Sequence, residues 1–203
     1  MRLLKRLAAG AFLLLFATLG GTALWALWPV RAEFDAAPLL AAAKRYDVHI
    51  LRERYGVPHV YGKTDPDVAY GLAFAHCEDD FTTIQRVLLA SRGRLASVDG
   101  ADAAPADYLF HWFGVAEAVE AGYATELSPE ARAIAEAYAD GVNHYAALHR
   151  AQVLPGVVPV RGQDVVAGFT FRTPFFYGLD RVVRPLFEEE KPDALAAWFE
   201  APT

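Results

Sequence analysis

Three positive charges, Arg2, Lys5 and Arg6, are followed by 22 residues, Leu7 to Trp28, that carry none. Wound as a helix, such a run spans ~33 Å at about 1.5 Å per residue, close to the hydrocarbon thickness of a bilayer. Trp25 and Trp28 stand at its far end, where amphipathic rings favour the membrane interface. The basic start belongs on the cytoplasmic side, so everything after Arg31 is expected to be exported. For a bacterial chain that means periplasmic, or anchored in the inner membrane and facing the periplasm. Residues 1–31 read either as a cleaved signal peptide or as an uncleaved anchor that crosses the membrane through residues 7–28, and both readings stand. Taking 31 residues from 203 leaves 172, enough for one ordinary domain with a core.

Charge divides the same way. Beyond Arg31 the chain holds 15 basic and 25 acidic side chains, a balance of −10. Nucleic acid is excluded as a partner, because phosphate neutralisation needs a basic face. A hydrophobic share of 54% with 13% aromatic residues excludes a disordered chain. Cys77 is the one cysteine, which excludes an internal disulfide and any zinc site built from several thiolates.

Residues 32–46 read as a linker leading into a short alanine-rich helix. From Asp47 the pattern turns extended: Val48 and Ile50 alternate with His49 and Leu51, Arg52 to Gly56 makes a polar turn, and Pro58 to Tyr61 resumes. A β-hairpin is expected, its second strand at an edge because of Pro58. Asp65-Pro66 has the form of a capping carboxylate followed by proline at the first helical position. The helix it opens runs to about Ser91, with Val68, Leu72, Ala75, Asp79, Ile84, Val87 and Leu88 as its expected face. Ser128-Pro129 opens another by the same logic, its expected apolar face being Ile134, Tyr138, Val142 and Tyr145. Between the two, Tyr108 to Phe113 is an aromatic run of core or interface type. Leu154 to Arg161 reads as a proline-punctuated connection, and Asp164 to Arg172 as an apolar helix halted by Pro174.

Ordinary catalytic constellations are missing. Serine occurs at Ser91, Ser97 and Ser128 alone, none of them in a G-x-S-x-G elbow. His76-Cys77-Glu78-Asp79-Asp80 is the densest cluster of reactive groups. On a helix His76 and Asp80 share a face, which would suit a metal, whereas His76 and Cys77 diverge by about 100° and do not pair directly. A structural role for the cluster is the expectation. The acidic run Glu188-Glu189-Glu190 reads as a solvated turn.

From Ile50 to Ala96 the chain resembles the amino-terminal part of the penicillin acylase family. The resemblance is carried by Arg52 to Val60 (RERYGVPHV), by Asp67 to Asp79 (DVAYGLAFAHCED) and by Arg92-Gly93. Ala137 to Asn143 (AYADGVN) resembles the family's next shared helix. Together these motifs cover most of residues 47–180. HCEDDF and TPFFYGLDR are most similar to the acyl-homoserine-lactone and aculeacin acylase branch.

The resemblance implies an α+β fold. The chain would be the α-chain region, mostly helical with an N-terminal β-hairpin, of a four-layer αββα N-terminal-nucleophile hydrolase. It would occupy residues 47–203 and be completed by a β chain that the same precursor releases on self-cleavage. The catalytic serine would begin that β chain, its own α-amino group, with a pKa of about 7.7–8.0, acting as base. No catalytic residue is then expected in this chain. Matching from Asp164-Val165 implies that Phe171, Thr173, Phe175, Phe176 and Tyr177 form the wall of the acyl pocket, at least two of the aromatic side chains being plain core. Calcium is the one metal ion implied, with Asp180 the nearest acid to the family's α-chain ligand; no cofactor is otherwise required. Substrates would be small N-acyl amides of acyl-homoserine-lactone, lipopeptide or β-lactam type. Two rival readings are a non-catalytic, membrane-tethered helical interaction module and a metal enzyme built on His76, Cys77 and Asp80.

Overall fold

Alternating residues from Val48 and from Pro58 pair as an antiparallel hairpin, β1 (Val48–Arg52) with β2 (Pro58–Gly62), Ile50 lying opposite Val60. Gly56 turns the connection at φ 85°, a conformation that costs glycine nothing. The computed structural model describes residues 32–184 and, before them, residues 14 and 16–22, which are helical. The rest of the expected anchor at 7–28 and the run Glu188 to Glu190 lie outside the described residues. Among the described residues no helix is long and apolar enough to cross a membrane.

Helix α1 (Ala37–Ala43) lies within the expected linker. Helix α2 (Asp65–Ala90) follows the hairpin. Its cap is Thr64 rather than Asp65. Thr64 Oγ1 accepts the Asp67 N–H at 3.3 Å while the Asp67 carboxylate accepts the Thr64 N–H at 3.1 Å, a reciprocal box. Asp67 also accepts the Asp47 N–H at 2.9 Å, which ties the hairpin's start to the helix. That bond first, and those from Thr64, hold the Asp67 carboxyl below the usual carboxylate range.

The helix bends at Asp80, whose backbone is extended (φ −155°, ψ 77°). Asp80 Oδ1 accepts the Thr83 N–H at 3.0 Å and caps the second half as a fresh helix start. The buried face matches the expected stripe at Ala75 and Leu88 and otherwise departs from it. Ala69, Tyr70, Ala73 and Cys77 are buried, whereas Val68 and Leu72 are 37% and 38% exposed.

Three helices then fold over the end of α2: α3 (Ala96–Asp99), α4 (Ala104–Trp112) and α5 (Val115–Gly122). Within the aromatic run, Leu109 and Phe110 are buried and Tyr108 and Trp112 are exposed. Helix α6 (Pro129–Leu148) starts where expected, Ser128 Oγ accepting the Ala131 N–H at 3.2 Å. Of its expected face, Val142 and Tyr145 are buried but Ile134 is 39% exposed, because the packed stripe runs through Ala135, Ala139 and Ala146.

Small residues let α2 and α6 come together. A Cβ on Gly141 would stand 2.4 Å from the Tyr70 carbonyl oxygen, and one on Gly71 would stand 2.5 Å from a Val48 methyl. The first glycine seats α6 on α2 and the second seats α2 on the hairpin. The core fills this seam with Ala73, Cys77, Phe81, Leu89 and Val142, and a second cluster joins α4 and α5 to α7 (Gly162–Phe176). A last short helix, α8 (Leu179–Val183), ends the described chain. Mostly helical with one hairpin, the fold is α+β.

Pro174 does not halt α7, which runs two residues further, to Phe176. Proline removes one N–H, the partner of the Thr170 carbonyl, and so close to the helix end there is little more to lose. The Tyr177 and Gly178 N–H groups then close on the Pro174 and Phe175 carbonyls at 3.1 Å each.

Candidate functional site

Helix α7 and its C-cap Tyr177 carry every expected pocket residue, so the elements that place the helix come first. Asp164 in its opening turn accepts the Arg161 N–H at 2.7 Å. The same carboxylate takes Arg92 Nε at 3.0 Å and Nη2 at 2.7 Å, a bidentate pair with side chains 17% and 4% exposed. Arg92 spends its other protons on the connection before α7, donating to the carbonyls of Gly156, Val157 and Pro159. Asn143 holds the same connection from α6, its Nδ2 donating to the Val160 carbonyl and its Oδ1 accepting the Val160 N–H, each at 2.8 Å. Gln85 does likewise further up, donating to the Gln152 carbonyl at 3.1 Å and accepting the Leu154 N–H at 2.6 Å. The start of α7 is therefore fixed by buried polar groups from both long helices.

Its end is not. Phe171 is buried, edge-on to Phe110 at 5.5 Å between ring centroids, and Phe175, partly buried, meets it edge-on at 5.6 Å in the same cluster. Thr173 is exposed and donates its hydroxyl to the Phe169 carbonyl at 2.6 Å. Phe176 and Tyr177 are 85% and 87% exposed. The five residues thus divide between a core pair and an outward trio.

Between α2, α6 and α7 lies an open groove of about 720 Å³. Leu72, Ile84 and Val87 line it from α2, Ile134 from α6, and Phe169 and Phe176 from α7. Of the stripe that the sequence marks on α2, Leu72, Ile84, Val87 and Leu88 line this groove, and Ala75 and Leu88 are buried as expected. A more polar cleft of about 670 Å³ lies between α5 and α7, beside Glu117, Glu120 and Arg161.

The histidine–cysteine–acid cluster is dispersed. Cys77 is buried at the α2–α6 seam, where desolvation pushes its thiol up to about 12, so it is no thiolate at neutral pH. His76 Nδ1 lies 3.0 Å from Tyr138 Oη. Glu78 and Asp79 grip Arg52 at 2.9 and 2.7 Å and so pin the hairpin, while Asp80 caps its own helix. No three His, Cys, Asp or Glu side chains come together as metal ligands among the described residues. Asp180 sits on α8 with Arg184 at 3.9 Å. Calcium takes about six to eight oxygen ligands. These residues do not make a calcium site by themselves.

The three serines are occupied structurally. Ser91 Oγ donates to the Val87 carbonyl at 2.8 Å, Ser97 Oγ to the Arg94 carbonyl at 2.7 Å, and Ser128 caps α6. Ser128 also hydrogen-bonds the Glu130 carboxylate in the first turn of α6, and that bond, after the one from the Glu130 backbone, helps hold the carboxyl below its ordinary range.

Comparison with known proteins places this arrangement. Escherichia coli penicillin G acylase is 30% identical over 106 residues, covering 52% of this chain and 12% of that protein. The acyl-homoserine lactone acylase PvdQ of Pseudomonas putida is 28% identical over 152 residues, 68% of this chain and 19% of its own length. The chain therefore spans a fifth or less of these relatives. A solved structure of thermostable penicillin G acylase from Alcaligenes faecalis shares the fold, with a TM-score of 0.55 at 24% identity over 77% of this chain and 95% of that one. The penicillin amidase family model matches residues 47–188, the hairpin through α8 and a little beyond, and the chain belongs to that family.

Proposed function

We propose that this chain is the α region of an exported bacterial acylase that hydrolyses the amide bond of small N-acyl compounds, of acyl-homoserine-lactone, lipopeptide or β-lactam type. The nucleophile is a serine at the start of a β chain released from the same precursor. The observation that carries this reading is the end of α7, where the aromatic side chains of Phe176 and Tyr177 are 85% and 87% exposed among the described residues. Three occupied serines and a protonated, buried thiol support it further, since neither can serve as nucleophile here.

In the reaction the serine oxygen attacks the acyl carbonyl carbon. The carbon–nitrogen bond breaks, the amine leaves with a proton, and water then hydrolyses the acyl-serine ester. This chain's part is to hold the acyl group: the Arg92–Asp164 clamp fixes the start of α7, and the outward trio Thr173, Phe176 and Tyr177 meets the substrate, backed by Phe171 and Phe175. Calcium, where it binds, takes Asp180 together with ligands from the β chain. Residues 1–31 direct export, with either cleavage or anchoring at the inner membrane.

The test is expression together with the downstream coding sequence. The precursor is expected to split into two chains and to hydrolyse N-acyl amides, and replacing the new N-terminal serine by alanine to abolish turnover. Hydrolysis by the 203-residue chain alone would overturn the reading, as would full turnover without that serine. In the active enzyme, Phe176→Ala and Tyr177→Ala are expected to shift kcat/KM toward longer or bulkier acyl groups, by roughly fourfold per added methylene, with little change in amine preference.

A further inference from the structure

We propose that the groove between α2, α6 and α7 is a docking surface for the chain's own carboxy-terminal segment, which lays Leu195, Trp198 and Phe199 into it and sets its acidic residues against Arg172. Leu72, Ile84, Val87, Ile134, Val165 and Phe169 face the groove from three helices. Contiguous apolar surface of this kind marks a place where something binds. The polar groups beside it are mostly satisfied already. His76 and Tyr138 bond to each other, Ser91 Oγ donates to the Val87 carbonyl, and the Asp164 carboxylate is taken up by Arg92 and the Arg161 N–H. A polypeptide that covers the groove must therefore bring an apolar face and a backbone whose hydrogen bonds are already made. A helix brings both, and an extended strand does not. One charge is left over: Arg172 has neither an acidic partner nor a hydrogen bond among the described residues.

Residues 185–203 lie outside the described residues, and their sequence has what the groove requires. Pro192-Asp193 has the form of a first helical turn, and Pro202 ends the run that it opens. Within that run Leu195, Trp198 and Phe199 are three and four apart, the spacing with which a helix sets its anchors in a groove. A run of about ten residues is too short for a stable helix in water by itself, so the segment needs a surface as much as the groove needs a cover. The charges agree. Glu188, Glu189, Glu190, Asp193 and Glu200 stand against Lys191 alone, and the unpaired group at the groove is a guanidinium. Reach is sufficient as well, since the chain from Arg184 to Leu195 extends up to about 38 Å at roughly 3.5 Å per residue. Such a tether holds the segment at an effective concentration on the order of millimolar. The penicillin amidase family model ends at residue 188, before the three anchors, and the contact does not depend on the acylase reading.

The test is the rate at which N-ethylmaleimide modifies Ile134→Cys in the full 203-residue chain. Cys77 is buried, so the parent chain serves as the blank. Modification is expected to be slower by about tenfold or more than in the same chain carrying Trp198→Asp and Phe199→Asp, because each aspartate removes a large buried apolar side chain from the contact. Arg172→Glu in the Ile134→Cys chain is expected to raise the rate about threefold, the effect of losing a part-exposed ion pair, and Arg172→Lys to leave it unchanged. Equal rates with and without the two aspartates overturn the docking. If both are fast the groove is open, and if both are slow another body covers it. Protection that is lost on dilution, with a dimer in sedimentation velocity, assigns the cover to a second copy of the chain and overturns the docking too. An Arg172→Glu rate equal to that of Ile134→Cys alone overturns the charge contact.

Discussion

Helices α2 and α6 meet through alanine and glycine, close enough that one added carbon at Gly141 would strike a backbone oxygen; α7 ends in phenylalanine and tyrosine that touch little. The first region holds most of the residues by which the family is recognised. Arg52, Gly71, Glu78, Asp79, Gly141 and Asn143 seat the hairpin, seat one helix on another, or hold the connection to α7. The second region holds the residues expected to meet substrate. Signature and the expected substrate contacts are separated in this chain: the motif marks the frame, and the frame presents the surface.

Breaking the frame is expected to have the largest effects. Arg92→Leu leaves the Asp164 carboxylate buried without its cation, and a loss of about 3–5 kcal/mol is expected in urea unfolding. Gly141→Ala forces a methyl against the Tyr70 carbonyl and the Ala73 Cβ, with an expected cost of about 1–3 kcal/mol read from the same transition.

A smaller effect follows from the polar edge of the same seam. Tyr70 Oη bonds His144 Nδ1, and burial lowers the His144 pKa below its ordinary value. A histidine depressed by folding binds its proton more readily in the unfolded chain. Stability is therefore complete above about pH 6.5 and falls as the pH drops through that value toward the folded one. Urea midpoints between pH 5 and 8 are expected to show this limb, and His144→Gln to flatten it. The smallest effect belongs to the other region. Tyr177→Ala is expected to move stability by no more than about 0.5 kcal/mol, because an 87% exposed ring contributes little to folding. A large loss there would mean that the end of α7 belongs to the frame, and the contrast between the two regions would fail.

Local signals were legible in the sequence. The hairpin follows from alternation around a glycine turn, and the start of α6 from Ser128-Pro129. Signals whose meaning depends on a distant partner were not. Of the expected stripe Val68, Leu72, Ala75, Asp79, Ile84, Val87 and Leu88, Ala75 and Leu88 are buried, yet the packed face of the first half of α2 runs mainly through Ala69, Tyr70, Ala73 and Cys77, because small residues admit α6 at that distance. Arg92 and Asp164 stand 72 residues apart, and neither announces the other. Pro174 obeys the general rule against proline in helices only where several bonds remain to be lost, and here α7 is already ending. For the candidate site, the sequence located the aromatic cluster but could not divide it. Which of Phe171, Phe175, Phe176 and Tyr177 turn inward is decided by α4 and α5, elements with no local cue pointing at α7.

The bend at Asp80 makes α2 two rods joined at a corner, each with its own cap, Thr64 for the first and Asp80 for the second. The first rod seats the hairpin through Gly71; the second carries Ile84 and Val87. A corner of this kind works as an adjustable joint. Substitutions near Asp80 can swing the second rod by a few degrees and widen or narrow the gap it borders while the hairpin keeps its seat. Descendants of such a chain can change the girth of what they accommodate without first rebuilding the frame that holds it.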